Sequence, residues 1–125
     1  MNRLFVPVLI ILWGIFPSCK EKEDVPCTME FRTIGITVTG DSLTDYYTIR
    51  LFSADTLRFI YGNPFIGNHW YPVLDDNYQS KIANTQENFR FIGKIKDSVV
   101  VNEPFIIKAD ACHIDKVSGK TEVVL

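Results

Sequence analysis

The sequence has no strong excess of either charge, no apolar run long enough to cross a membrane and no segment rich in helix-forming residues. Thirteen lysines and arginines stand against fifteen aspartates and glutamates, a balance that argues against nucleic acid or anionic lipid as a partner. Aromatic residues are spread along the chain instead, which favours strands over helices. No catalytic or cofactor motif, internal repeat or low-complexity tract stands out.

Residues 1–19 have the features of an export signal. Arg3 supplies a positive start, and the apolar run Leu4–Phe16 is shorter than the roughly 20 residues a membrane span needs. Ser18 is small enough for peptidase cleavage, and Cys19 follows it directly. This arrangement resembles the signal of bacterial lipoproteins, which implies that Cys19 is lipidated and begins the mature chain. The alternative is an ordinary secretory signal with a leftover thiol, and both place the mature chain outside the cytoplasm.

Residues 20–26 begin with the charged run Lys20–Asp24, which predicts a solvated tether without a fold of its own. A lysine followed by acidic residues behind the lipidated cysteine resembles the signal with which Bacteroides-type bacteria send lipoproteins to the outer face of the outer membrane. The resemblance implies a lipid-anchored protein at the cell surface, with the periplasmic face as the alternative. Residues 27–125 are then expected to form one domain with one core.

Three cysteines divide into two roles. Cys19 belongs to the anchor, which leaves Cys27 and Cys112 as an even pair in a compartment where disulfides persist. We therefore predict a disulfide between them. The alternative is two buried free thiols that behave as small apolar residues. A metal site is disfavoured because the two cysteines lack the paired spacing of zinc ligands, and we expect neither a metal nor a cofactor.

Alternating apolar and polar residues predict a series of short strands. The expected strands are Phe31–Thr39, Tyr46–Phe52, Leu57–Tyr61, Phe89–Ile95, Val99–Val101, Phe105–Cys112 and Thr121–Leu125. The first three are expected to form a meander, Lys96–Ser98 to close a hairpin, and Pro104 to interrupt the chain between two strands. One short helix is predicted, capped by Asp75 or Asp76 and ended near Asn84. The fold expected is mostly β: one antiparallel two-sheet β-sandwich of the immunoglobulin or prealbumin type.

The segment Phe105–Ile114, followed by Val117–Gly119 and Val123–Leu125, resembles the closing strands of carboxypeptidase regulatory-like domains. These are prealbumin-type β-sandwiches in which an aspartate, a cysteine and a histidine precede the last strand. The resemblance implies that Cys112 is a structural cysteine bonded near the N-terminal strand, where Cys27 is the candidate. Prealbumin-like enzymes acting on purine-derived substrates end in a tyrosine-arginine-glycine-serine tail, whereas this chain ends in Val123–Leu125, which disfavours that activity.

Two polar clusters are weighed as sites. His113, flanked by Asp110 and Asp115, is the most enzyme-like, because a carboxylate orients an imidazole for base or metal chemistry. We expect instead a strand-end histidine hydrogen-bonded to nearby backbone, since no serine in a nucleophile-elbow sequence accompanies it. The run Asp75–Asn77 offers oxygen ligands for calcium, but helix capping explains the same residues with fewer assumptions.

The segment 61–72 combines turn-forming residues with several rings and is predicted to be an irregular loop. Its candidate ligand-binding residues are Tyr61, Phe65, His69, Trp70 and Tyr71, with Asn68 as a further polar contact. Exposed together, the rings form a flat platform suited to a sugar or a protein hot spot. Packed inward, they plug the open end of the sandwich instead.

The function expected is a non-catalytic, lipid-anchored binding or interaction module whose partner is a glycan or a protein. A small accessory subunit of an envelope assembly is the structural alternative, and a hydrolase using His113 the enzymatic one. The membrane is a partner through the lipid at Cys19, and no nucleic acid is expected.

Overall fold

The computed structural model describes residues 26–59 and 69–125, which form eight strands and one 3₁₀ helix. The predicted lipidation at Cys19 and the predicted tether, apart from Pro26, lie outside the described residues, as do Tyr61, Phe65 and Asn68. The strands are β1 (Thr33–Thr39), β2 (Asp45–Arg50), β3 (Asp55–Leu57), β4 (Trp70–Asp75), β5 (Gln86–Ile95), β6 (Ser98–Ala109), β7 (Ile114–Ser118) and β8 (Glu122–Val124). The 3₁₀ helix, Asp76–Lys81, joins β4 to β5.

The eight strands form two sheets, with the order β4-β1-β8 in one and β3-β2-β5-β6-β7 in the other. The prediction of a mostly β, two-sheet sandwich is therefore confirmed. The expectation that all strands would be antiparallel is wrong at one place, because β1 and β8 run parallel, with Val38 opposite Val123. Parallel neighbours cannot be joined by a tight turn, and here almost the whole domain lies between the two strands.

The core lies between the sheets and is built from the residues that alternate along the inner face of each strand. Ile36 and Val38 of β1 have no exposed surface, and Phe89, Phe91 and Phe105 of the facing sheet are equally buried. The Thr48 hydroxyl of β2 donates a hydrogen bond of 2.6 Å to the carbonyl oxygen of Val73 in β4. This bond links the two sheets directly and satisfies a hydroxyl that burial would otherwise leave unpaired.

The meander predicted for the first three strands is wrong. β1 lies in the three-stranded sheet, whereas β2 and β3 pair with each other in the five-stranded sheet. Gly40 follows β1 with φ of 120°, a conformation that side chains disfavour, and it begins the turn that carries the chain across. Periodicity predicts strands but carries no information about which sheet each strand joins.

Residues 70–72, predicted as the end of the irregular loop 61–72, instead form the first half of strand β4, Trp70–Asp75. It pairs antiparallel with β1, with a bulge where Gly35 lies opposite Pro72. Proline is tolerated here because β4 is the edge strand of its sheet as described and needs no donor on its outer side. A second proline, in the other sheet, also lies within a strand.

That second proline, Pro104, lies within the continuous strand β6 and does not separate two strands as predicted. It pairs with Arg90 of β5, while β7 contacts β6 only from Ile106 to Ala109. None of the described strands pairs with β6 on that side around Pro104, so a missing N–H donor costs little there.

The predicted hairpin and helix are confirmed. Lys96 and Asp97 form the turn between β5 and β6, and Lys96 has φ of 55°. The helix is a single 3₁₀ segment capped by Asp75, whose carboxylate accepts a hydrogen bond from the Asn77 amide at 2.9 Å. This cap explains the acidic run better than calcium does.

Candidate functional site

Trp70 and Tyr71, the two described rings of the predicted platform, lie on opposite faces of β4. Tyr71 is opposite Ile36 and faces the core, whereas Trp70 is opposite Thr37 and faces outward. The Tyr71 hydroxyl accepts a 2.9 Å hydrogen bond from the Leu43 amide, and its ring meets Tyr46 edge-on at 5.0 Å. Tyr71 thus follows the packing alternative, and Trp70 alone of this pair remains on the outer face.

The indole of Trp70 lies directly over Gly35, the third residue of β1. Any side chain at position 35 would overlap the indole ring, so glycine is required for this contact. The same outer face carries Thr37, Thr39, Glu122 and Val124 by their pairing register. The result is a partly exposed ring beside hydroxyl and carboxylate groups.

His69 directly precedes β4. The prediction assigned its ring to ligand binding, whereas the contact seen in the structure is made by its backbone. Its φ is 50°, and its carbonyl accepts a 2.8 Å hydrogen bond from the Val38 amide. The ring atom Nδ1 is buried and has no hydrogen-bond partner within the described part of the chain. His69 therefore anchors the start of β4 through its backbone.

His113 forms the best-defined polar cluster, with partners that the sequence did not indicate. Its Nδ1 lies 2.8 Å from Oδ2 of Asp76, and its Nε2 lies 2.9 Å from the hydroxyl of Thr28. The histidine is 7% exposed, whereas Thr28 is an exposed residue. The predicted bond from a strand-end histidine to nearby backbone is thus wrong for the ring, because both ring nitrogens contact side chains.

Asp76 accepts hydrogen bonds from two backbone amides besides the imidazole: Arg32 N at 2.8 Å and Ile114 N at 2.9 Å. Burial acts to raise the pKa of Asp76, but these hydrogen bonds outweigh it and hold that pKa below its usual value. An ionised carboxylate only accepts hydrogen bonds, so Nδ1 of His113 is the donor. In the neutral imidazole Nε2 is then the acceptor, and the Thr28 hydroxyl donates to it.

The two aspartates predicted to flank the imidazole serve the backbone and a neighbouring strand instead. Asp110 accepts hydrogen bonds from the amides of Cys112 and His113 at 2.7 and 2.8 Å, and these bonds lower its pKa. Asp115 pairs with Arg32 at 2.7 Å. Asp110 therefore stabilises the turn before β7. The ring nitrogens of His113 contact Asp76 and Thr28 instead.

The Cys27–Cys112 disulfide is present, as predicted, with the two Cα atoms 5.3 Å apart. Thr28 follows one cysteine and His113 follows the other. The covalent bond therefore holds the segment that carries the hydroxyl against the segment that carries the imidazole, in addition to stabilising the fold.

Within residues 26–59 and 69–125, no group of three or more histidine, cysteine, aspartate or glutamate side chains is arranged to hold a metal ion. No helix in these ranges has the length and apolar character that crossing a membrane demands.

Comparison with known proteins gives no match: no family model, curated protein or solved structure is significantly similar to this chain.

Proposed function

We propose that this chain is an extracytoplasmic module, anchored by lipid at Cys19 to the outer membrane at the cell surface, that binds a glycan on the outer face of its three-stranded sheet. The signal-like residues 1–19 and the charged residues 20–26 support the anchor. The Cys27–Cys112 bond supports an oxidising compartment. The same bond and the two-sheet architecture support a relation to carboxypeptidase regulatory-like, prealbumin-type domains.

The placement of Trp70 over Gly35 carries the proposal. Glycine inside a strand destabilises it by roughly 0.5–1 kcal/mol relative to alanine. The chain nevertheless has glycine at the one position where the indole rests on the backbone of β1. An aromatic ring face suits the C–H surface of a sugar, and the neighbouring groups of Thr37 and Glu122 suit its hydroxyls.

The test is binding of the full chain, purified in detergent, to a glycan array. Wild type is compared with Trp70→Ala, and Phe52→Ala is the matched control because this aromatic residue is 84% exposed and lies in the turn after β2. We expect wild type and Phe52→Ala to bind the same glycans and Trp70→Ala to lose them. Folding of each variant is checked by near-ultraviolet circular dichroism.

Absence of glycan binding by the folded wild type, or full binding by Trp70→Ala, would refute the glycan site. Trp70 would then be a packing residue that covers the glycine, and a protein partner would become the next candidate.

The anchor is tested separately in cells. Wild type is expected to incorporate labelled fatty acid, and Cys19→Ser is expected to lose that label. Proteolysis of intact cells distinguishes the outer surface from the periplasmic face, because only an outward-facing domain is digested.

A further inference from the structure

We propose that Thr28 is an activated nucleophile that accepts an acyl group from an ester, with His113 as its general base and Asp76 as the residue that positions the imidazole. This inference goes beyond the binding function, which uses the other end of β1 and different residues. It rests on the contacts of Nε2 with the Thr28 hydroxyl at 2.9 Å and of Nδ1 with Asp76 at 2.8 Å.

The direction of the hydrogen bonds is the one that proton transfer needs. Asp76 fixes the proton of the neutral imidazole on Nδ1, so the lone pair of Nε2 faces the Thr28 hydroxyl. A weak oxygen nucleophile becomes reactive when an adjacent base can take its proton, and a third group that orients the base completes the arrangement. Thr28 is thus placed as the nucleophile, His113 as the base and Asp76 as the group that orients the base.

Burial is distributed as such a site requires. Side-chain exposure is 9% for His113 and 8% for Asp76, so the pair is shielded from water. Thr28 is exposed, and a substrate can therefore approach its hydroxyl. The disulfide between Cys27 and Cys112 holds the next residues along the chain, Thr28 and His113, close to each other.

The reaction has two balanced steps. The Thr28 oxygen attacks the ester carbonyl while its proton passes to Nε2 of His113; the carbonyl–alkoxy bond then breaks, and the alcohol leaves with that proton. The product is an acyl ester on Thr28. Water, deprotonated by the same imidazole, can then release the acid and restore the hydroxyl.

The experiment uses p-nitrophenyl acetate as the probe and the full chain in detergent. Wild type is expected to gain one acetyl group on Thr28, located by tandem mass spectrometry and removed by alkaline hydroxylamine, which cleaves esters and spares acetylated lysines. Thr28→Val removes the hydroxyl and should abolish acetylation at position 28, whereas His113→Gln should slow it by about 100-fold or more, the lower range of general-base effects. Thr28→Ser keeps a hydroxyl and should retain it, and so should the control Thr56→Val, whose threonine is exposed on β3.

The positioning role of Asp76 is tested by measuring which tautomer of the His113 imidazole is present. In wild type the imidazole ¹⁵N spectrum should show Nδ1 protonated, and Asp76→Asn should shift the population towards the other tautomer while slowing acetylation. Asp76 also accepts two backbone hydrogen bonds, so if Asp76→Asn fails to fold, the tautomer is measured in wild type and in Thr28→Val, which changes an exposed residue. Predominant protonation of Nε2 in either chain would contradict the positioning role. Acetylation absent from Thr28 in wild type, or equal in wild type and His113→Gln, would overturn the proposal and leave the cluster as a structural hydrogen-bonded clamp.

Discussion

Removing the Cys27–Cys112 disulfide is expected to lower the free energy of unfolding by several kcal/mol. The two cysteines are 85 positions apart, and a closed loop of that length restricts the unfolded chain by about 4.6 kcal/mol at 25 °C in the chain-entropy relation. For a domain of this size, 1 kcal/mol moves the melting temperature by roughly 4–8 °C. The expected drop is therefore about 20–35 °C.

The assay is urea unfolding of two chains that both carry Cys19→Ser, so that no third thiol can exchange. One retains Cys27 and Cys112, and the other carries serine at both positions. With a denaturant slope of roughly 1–3 kcal/mol per molar urea, the transition midpoint should fall by about 1.5–4.6 M. A loss below about 1 kcal/mol would refute the reasoning, because the bond would then restrict the unfolded chain far less than its loop length requires.

Three further changes test the packing and electrostatics described above. Gly35→Ala should destabilise the fold by about 1–3 kcal/mol through overpacking, and most of that penalty should disappear in a Trp70→Ala background in a double-mutant cycle; additive effects would contradict the contact. Thr48→Val should cost about 1–2 kcal/mol in urea unfolding, because the buried carbonyl of Val73 loses its donor; unchanged stability would count against the link between sheets. Asp76 has a lowered pKa, so the folded state binds fewer protons than the unfolded state and stability should fall as pH drops below about 4. Asp76→Asn should flatten this part of the pH profile, and an unchanged slope would show that other carboxylates cause it.

The positions of several strands could be predicted from sequence, and the errors in that prediction have common causes. Period-two alternation correctly indicated β1, β2 and β5, where one face is buried and the other is not. Pro104 was interpreted as an interruption and Pro72 as part of an irregular loop, although both lie in strands, Pro72 in β4 and Pro104 in β6. Whether a strand has an unpaired side is a property of the sheet, which no local pattern reveals.

The candidate sites were predicted less completely, because they depend on contacts between distant positions. The cysteine pair was predictable from parity and compartment. The partners of His113 were not, since Asp76 is 37 positions away and Thr28 is 85. Asp110 and Asp115 were the obvious choices by proximity, yet the carboxylate of Asp110 accepts hydrogen bonds within the turn it begins and that of Asp115 pairs with Arg32.

The parallel pairing of β1 with β8 also has a consequence for the order of synthesis. Thr39 of β1 and Glu122 of β8, which share a hydrogen bond, are 83 positions apart. At roughly 5–20 residues per second, the ribosome needs about 4–17 s to make the intervening chain. Throughout that interval Ile36 and Val38, which are completely buried in the finished domain, have no β8 to cover one edge of their strand, and open strand edges invite aggregation. The first of the described strands is thus among the last to be completed. A chaperone that shields its edge, during synthesis or until β8 has also been exported, would therefore protect the incomplete chain from aggregation.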